Sequence, residues 1–259
     1  MTNNLFFEER GNSDNPKIVF LHGLLGSSRN WRSITKIVSE EFHTLSFDLP
    51  SHGKSPHLGV CTVKTIAECI SSNLRRRGVE SFSICGHSLG GKVAMRIACD
   101  SPAAIEKLAI VDIAPRDYPP EHHLPTLTAL LELNIAKISN RKEADLILSE
   151  QIPNWAFRQF LLTNLEVKDG ILAWLPDLKG LKNSIQFLSS NPLKDGERYE
   201  GASLFIRGGK SGYVRSEHIE EIHTFFPQSK IKTLPQAGHD VHVEDREGFL
   251  SLFQDFFNE

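Results

Sequence analysis

Apolar and polar positions along this chain fall into short blocks whose period changes repeatedly. Residues 17–23, KIVFLHG, form a continuous apolar run closed by a glycine, the pattern of a strand buried on both faces. Residues 31–42, WRSITKIVSEEF, repeat at helical spacing. HTLSFDLP, at 43–50, is strand-like again and is stopped by Pro50. TVKTIAECISSNLRRRG, at 62–78, predicts an amphipathic helix ending at Gly78. A strand at 81–86, a helix over 89–100 and the buried strand KLAIVDI at 107–113 complete this half.

After APRDYPP (114–120) the rhythm breaks. From His122 to about Asn191 the pattern is helical, clearest in TLTALLELNIAKI, KEADLILSEQI and NWAFRQFLLTNL, with no convincing buried strand. Strand and helix then alternate again, through ASLFIRGG (202–209), a helix over 216–226, KIKTLPQAGHD and a helix over 245–257. Alternation of this kind predicts an α/β fold, a mainly parallel sheet flanked by helices. The expected core is 1–114 plus 201–259, and 115–200 is expected to be a helical lid inserted over the mouth of the sheet.

Composition narrows the partners. The 259 residues are 40% hydrophobic and 24% charged, with a formal net charge of −3, so no basic footprint points to nucleic acid. The run Arg75-Arg76-Arg77 ends a helical pattern, where cations complement the helix dipole. Cys61, Cys69, Cys85 and Cys99 fit no metal or redox spacing. The start, MTNNLFFEERGN, lacks the basic-then-apolar pattern of a secretory signal, and no apolar run is long enough to span a membrane. The expectation is a cytoplasmic protein acting on a small molecule, with no cofactor and no metal.

The chemistry concentrates at SFSICGHSLGGKVAM (81–95), where the strand pattern switches to Val93, Ala94, Ile97 and Ala98 at helical spacing. Gly86-His87-Ser88-Leu89-Gly90 is thus a strand-to-helix corner spelling G-x-S-x-G. In so tight a turn, side chains two positions either side of Ser88 would collide, so both are glycine. Ser88 is expected in a strained conformation that lifts its hydroxyl from the sheet, as a nucleophile.

A serine hydroxyl needs a base, and the base needs an orienting acid. Of eleven histidines, His22, His52 and His87 lie in turns or face away, and His122 and His123 read as exposed. His239 follows a predicted strand in the loop QAGHD and is the expected base, with His242 as the alternative. The loop after 202–207, RGGKSGYVRSEH, offers no carboxylate before Glu217. Asp112 ends a buried strand, where its charge needs a partner, and is the expected acid. Asp117 and Asp240 are weaker candidates. Backbone N–H groups of Leu89 and Leu24 are expected to form the oxyanion hole.

In order, FLHGLLGSSRNW, FDLPSHGKS, GHSLGGKVAM, VDIAPRDY, FIRGGKSGYV and AGHDVHVEDREGF resemble the α/β-hydrolase superfamily, and more narrowly the YbfF-like bacterial esterases and related abhydrolase-domain proteins. The resemblance covers about 5–113 and 200–257, with the start of the lid, and implies hydrolysis of carboxylic esters or thioesters by a Ser–Asp–His triad without a cofactor. It places the acid in a V-D-I-A/S-P segment, here Val111-Asp112-Ile113-Ala114-Pro115. Two positions depart from it: Asp240 stands where a tryptophan is usual, and Leu49-Pro50-Ser51 replaces an arginine-bearing stretch. Two other readings compete. One is a carbon–carbon bond lyase or hydrolase resembling the menaquinone-pathway synthase, using lid arginines such as Arg116, Arg141 or Arg158. The other is a hydrolase-fold small-molecule receptor.

Overall fold

The computed structural model describes residues 4–168 and 170–259, so residues 1–3 of the expected core and residue 169 of the expected lid lie outside the described residues. The chain runs β1 (Phe7–Arg10), β2 (Lys17–Leu21), α1 (Arg32–Val38), β3 (His43–Phe47), α2 (Val63–Arg76), β4 (Phe82–His87), α3 (Leu89–Asp100) and β5 (Ile105–Val111). An insertion follows: α4 (Leu124–Glu132), α5 (Arg141–Leu148), α6 (Trp155–Leu162), β6 (Leu165–Lys168), β7 (Ile171–Trp174) and α7 (Leu178–Ser189). The chain returns through β8 (Ser203–Gly208), α8 (Ile219–Phe225), β9 (Ser229–Leu234), α9 (Val241–Glu244) and α10 (Arg246–Asn258).

Seven strands form one sheet in the order β1-β3-β2-β4-β5-β8-β9, parallel except for the β1–β3 pair at one edge. Strand periodicity sorts the buried side chains onto two faces. Val19, Leu21, Ile84, Leu108, Ile110 and Phe205 point to one, where Ile66, Ile70 and Leu74 of α2 and Val93 and Ile97 of α3 cover them. Ile18, Phe20, Cys85, Ala109, Val111, Leu204 and Ile206 point to the other, under Ile34 and Val38 of α1 and Phe249, Phe253 and Phe257 of α10. This two-sided burial explains why the parallel strands read as continuous apolar runs.

Three strands depart from the sequence reading. β1 was not expected: its four residues, FEER, are too short for a period to show, and it is an edge strand with two exposed positions. Within the block read as helical, β6 and β7 pair antiparallel, Leu165 opposite Trp174 and Lys168 opposite Ile171. Among the described residues no helix is long and apolar enough to cross a membrane.

Topology positions the site. From β2 the chain crosses to β3 on one side, and from β4 it crosses to β5 on the other. β2 and β4 are neighbours, with Leu21 opposite Gly86, so the loops leaving their carboxyl ends diverge from one point. Open α/β sheets form their ligand crevice at such a switch point. The loop from β2 carries Leu24, and the loop from β4 carries Ser88.

Candidate active site

Ser88 sits at the amino end of α3 with φ 52° and ψ −118°, a backbone region that side chains rarely adopt. The flanking glycines are sterically required. A Cβ on Gly86 would overlap the carbonyl of Gly90, and a Cβ on Gly90 would overlap that of Leu21 in the adjacent strand. The second contact differs from the expected one: Gly90 makes room for β2, which brings the β2 loop against the corner. A Cβ on Gly23 would stand 3.3 Å from Cβ of Ser88.

That loop is held from several sides. His22 accepts the Leu49 N–H at Nε2 (3.0 Å), so Nδ1 carries the proton and donates to the Gly23 carbonyl (2.7 Å). Leu25 takes φ 59°, and its carbonyl accepts from the Asn164 side chain of the insertion at 2.6 Å. Among the described residues, the N–H groups of Leu24 and Leu89 hydrogen-bond no protein acceptor. For Leu89 this follows from its place in the first helical turn.

Asp112 follows the last residue of β5 with φ 49° and is 1% exposed. Its own N–H donates to Ile206 (2.9 Å), anchoring it to β8. Three donors meet the buried carboxylate. The Gly208 N–H reaches Oδ1 at 2.9 Å, the Ser211 hydroxyl reaches Oδ2, and His239 donates from Nδ1 to Oδ2 at 2.8 Å. The end of β8 and the loop after it, which offers no carboxylate before Glu217, thus supply two hydrogen-bond donors to one.

His239 follows β9 in a loop fixed by its neighbours. Glu244 of α9 accepts the N–H groups of Gly238 (2.8 Å) and Asp240 (3.2 Å). The His87 ring donates from Nε2 to the His239 carbonyl at 3.0 Å. Gly208 lets this loop approach β8, since a Cβ there would overlap the Gly238 carbonyl. On its flat side the His239 ring stacks on Tyr213, with 3.8 Å between centroids and 17° between planes. The Tyr213 carbonyl in turn accepts from the Tyr118 hydroxyl at 2.8 Å.

The rival residues are placed elsewhere. Asp117 is exposed and accepts the Asn191 N–H (2.7 Å). Glu217 is exposed and lies 3.4 Å from Arg215. The Asp240 carboxylate lies 3.9 Å from His87. His242 is buried and stacks on Trp31 at 4.3 Å, and burial pushes its pKa down to about 3. His87 is also buried, and desolvation with the nearby His239 and His242 holds its pKa well below the usual value. His123 corrects the sequence reading. It is half-buried beside the crevice, and burial lowers its pKa to about 4.

Ser88 opens into a pocket walled by Leu24, Leu89 and Ile113 of the core, by Tyr118, His123, Ile185, Leu188 and Ser189 across the mouth, and by Tyr213 and Lys92. The apolar residues most conspicuous in the insertion sequence lie elsewhere. Trp155, Phe157 and Leu131 face solvent, and Leu127 and Leu130 are buried in the packing of the insertion. The three arginines also turn away. Arg158 donates to Asp145 (2.8 Å), Arg141 to the Leu165 carbonyl, and Arg116 meets His218. Sequence reasoning missed Ser211, Tyr213, Glu244 and Lys92. Only Lys92 left a signal, as a lone charge in the apolar first turns of α3.

Comparison with known proteins agrees with this architecture. The α/β hydrolase fold family matches residues 16–246. The mouse sn-1-specific diacylglycerol lipase ABHD11 is 34% identical over 253 residues, covering 95% of this chain and 82% of that protein. Esterase YbfF of Escherichia coli is 26% identical over 246 residues, covering 95% and 94%. A solved structure of a marine microorganism esterase superposes with a TM-score of 0.95 at 32% identity, covering 98% of this chain and 99% of that one. The chain therefore belongs to the α/β hydrolase fold family and is related along nearly all its length to esterases and lipases.

Proposed function

We propose that the protein is a serine carboxylesterase working through Ser88, His239 and Asp112, with residues 115–200 as the lid that shapes its acyl pocket. The observation that carries this reading is the pairing of His239 with a fully buried, triply hydrogen-bonded Asp112 on the sheet edge that also bears the strained Ser88. With its Nδ1 proton held by Asp112, His239 is left with Nε2 free to accept a proton. In this reading Nε2 takes the Ser88 proton as Oγ attacks the acyl carbon. The Leu24 and Leu89 N–H groups receive the oxyanion, worth about 3 kcal/mol of barrier each. Protonation by His239 releases the alcohol, and water, activated by the same imidazole, frees the acid from the acyl-serine.

The walls of the pocket suit an acyl chain: Leu24, Ile113, Ile185 and Leu188 are apolar, and Tyr118 and Tyr213 add ring surface. The esterase and lipase names of the relatives support the same substrate class. The carbon–carbon lyase reading loses its main support, because Arg116, Arg141 and Arg158 point into other contacts. The receptor reading gives the Asp112–His239 pair no task.

A fluorophosphonate probe should label Ser88, and Ser88→Ala should fold but lose activity by several orders of magnitude. Turnover of p-nitrophenyl esters against acyl-CoA thioesters of matched chain length separates the ester from the thioester preference. Labelling at a different serine would refute the mechanism.

A further inference from the structure

One buried charge in the crevice has no task in that chemistry. Lys92 lies one helical turn after Ser88 on α3 and is 2% exposed. A buried ammonium is costly unless each of its protons finds an acceptor. In its charged form all three do: Nζ donates to the carbonyls of Ser189 (2.6 Å), Ser190 (2.7 Å) and Arg116 (3.1 Å), and these bonds hold it in place although burial pushes its pKa down to about 7, against the nearby Asp117 carboxylate. Nζ also sits 4.8 Å from the centre of the Tyr118 ring. Ser189 and Ser190 lie where the insertion returns to the core, and Arg116 lies where it departs.

The two stems are also joined directly. The Tyr118 N–H donates to the Ser189 carbonyl at 2.9 Å, and the Asn191 N–H donates to the Asp117 carboxylate at 2.7 Å. Lys92 is thus the point where both stems are fastened to the helix that carries Ser88. Its stem and the residues it holds, Tyr118 and Ser189, form part of the pocket wall.

We propose that Lys92 is a clasp that fixes the distance between the insertion and the nucleophile helix, and so is a positioning residue that determines how long an acyl group the pocket accepts. Its Nζ donors are consumed by protein carbonyls, so the amine is turned away from the substrate and only the aliphatic stem is left to the pocket wall. Its effect passes through the placement of Tyr118, Leu188 and Ser189. The selectivity half of the proposal rests on the serine-esterase reading; the clasp itself does not.

The test compares the wild type with Lys92→Met, which keeps the length of the chain and removes the donors, and with Asp117→Ala, which loosens the same junction from an exposed position. Amide exchange of Tyr118 and Asn191 should accelerate in Lys92→Met by about tenfold or more, the scale of losing a charge-assisted hydrogen bond, while the amides of the central strands hold. Asp117→Ala should accelerate the same two amides by less. In Lys92→Met the kcat/KM ratio of hexanoyl to acetyl p-nitrophenyl ester should shift by about tenfold, carried by KM. Unchanged exchange in Lys92→Met would overturn the clasp, whatever Asp117→Ala does. Equal losses on both esters, carried by kcat, would overturn its part in selectivity. Absence of fluorophosphonate labelling at Ser88 in the wild type would sink the esterase reading and leave the exchange result standing. Should Lys92→Met fail to fold, the same exchange is measured in Lys92→Gln, which keeps two donors on a shorter side chain; unchanged exchange of Tyr118 and Asn191 there would overturn the clasp.

Discussion

The imidazole of His239 and the carboxylate of Asp112 meet at 2.8 Å across 127 residues of sequence. Asp112 is buried and His239 remains partly open to the crevice. A buried carboxylate with three donors is rigid, so it dictates which ring nitrogen of His239 carries the proton. Asp112→Asn keeps the shape and inverts that choice. It should retain the fold and slow turnover by about 10⁴-fold. Glu217→Gln should be nearly neutral. Steady-state kinetics with thermal unfolding of both variants decides; a severe loss in Glu217→Gln alone would move the acid.

Ser211 and Tyr213 hold the same pair from the loop after β8. Ser211→Ala removes one donor from a buried charge and should lower kcat by about tenfold, in line with one charge-assisted hydrogen bond. Tyr213→Phe keeps the stacked ring and should stay near wild type, whereas Tyr213→Ala should lose activity through kcat. Equal activity of the two Tyr213 variants would show that the stacked ring does not hold His239.

Buried neutral histidines make the fold sensitive to acid. Burial pushes His22 down to about 4, and His52 and His242 down to about 3. Unfolded histidine titrates near about 6.5, so below that pH the unfolded chain binds protons that the folded one does not. The stabilisation is complete above about pH 6.5 and is lost as pH falls towards about 4, on the order of 1–2 kcal/mol per histidine by about pH 5. Urea unfolding at the two ends of this window should show it, and His242→Phe, which keeps a ring against Trp31, should flatten the dependence. A stability that does not vary across the window would count against these histidines being buried and neutral.

The glycine corner should be as intolerant as its geometry. Gly86→Ala pushes a methyl into the Gly90 carbonyl and should cost about 2–3 kcal/mol, as overpacking does, or displace α3 and abolish labelling of Ser88. A stable, fully labelled Gly86→Ala would contradict the described approach of α3 to β4.

What the sequence made legible, it made legible for local reasons. Gly86 and Gly90 mark a corner within five residues, and Asp112 announces itself as a charge ending an apolar strand. The parallel strands were readable because both faces are covered. Ser211 and Tyr213 were not readable, because each acts on a partner brought near by the fold; Ser211 and Asp112 stand 99 residues apart. Glu244 acts locally, on Gly238 and Asp240, but only the folded loop turns its carboxylate onto their N–H groups. The β6–β7 hairpin was masked by flanking helices, although the sequence places Asp169-Gly170, a hairpin signal, between its strands. Tertiary placement also decided against the eye-catching aromatics: Trp155 and Phe157 fit a helical period, yet their side chains are exposed.

The bonds that fasten the insertion have a consequence for descent. Every acceptor of the Lys92 amine is a backbone carbonyl, so that fastening places little demand on side chains of the insertion beyond Asp117, Tyr118 and Asn164. The two ends also lie side by side, and doubling the length of such a loop adds only about 0.6 kcal/mol of closure entropy. A lineage can therefore lengthen, shorten or rewrite this segment while the core stays folded and the crevice stays intact. If residues 115–200 are the lid proposed above, new substrate preferences are then open to drift in them, with the proposed chemistry of the sheet edge inherited unchanged.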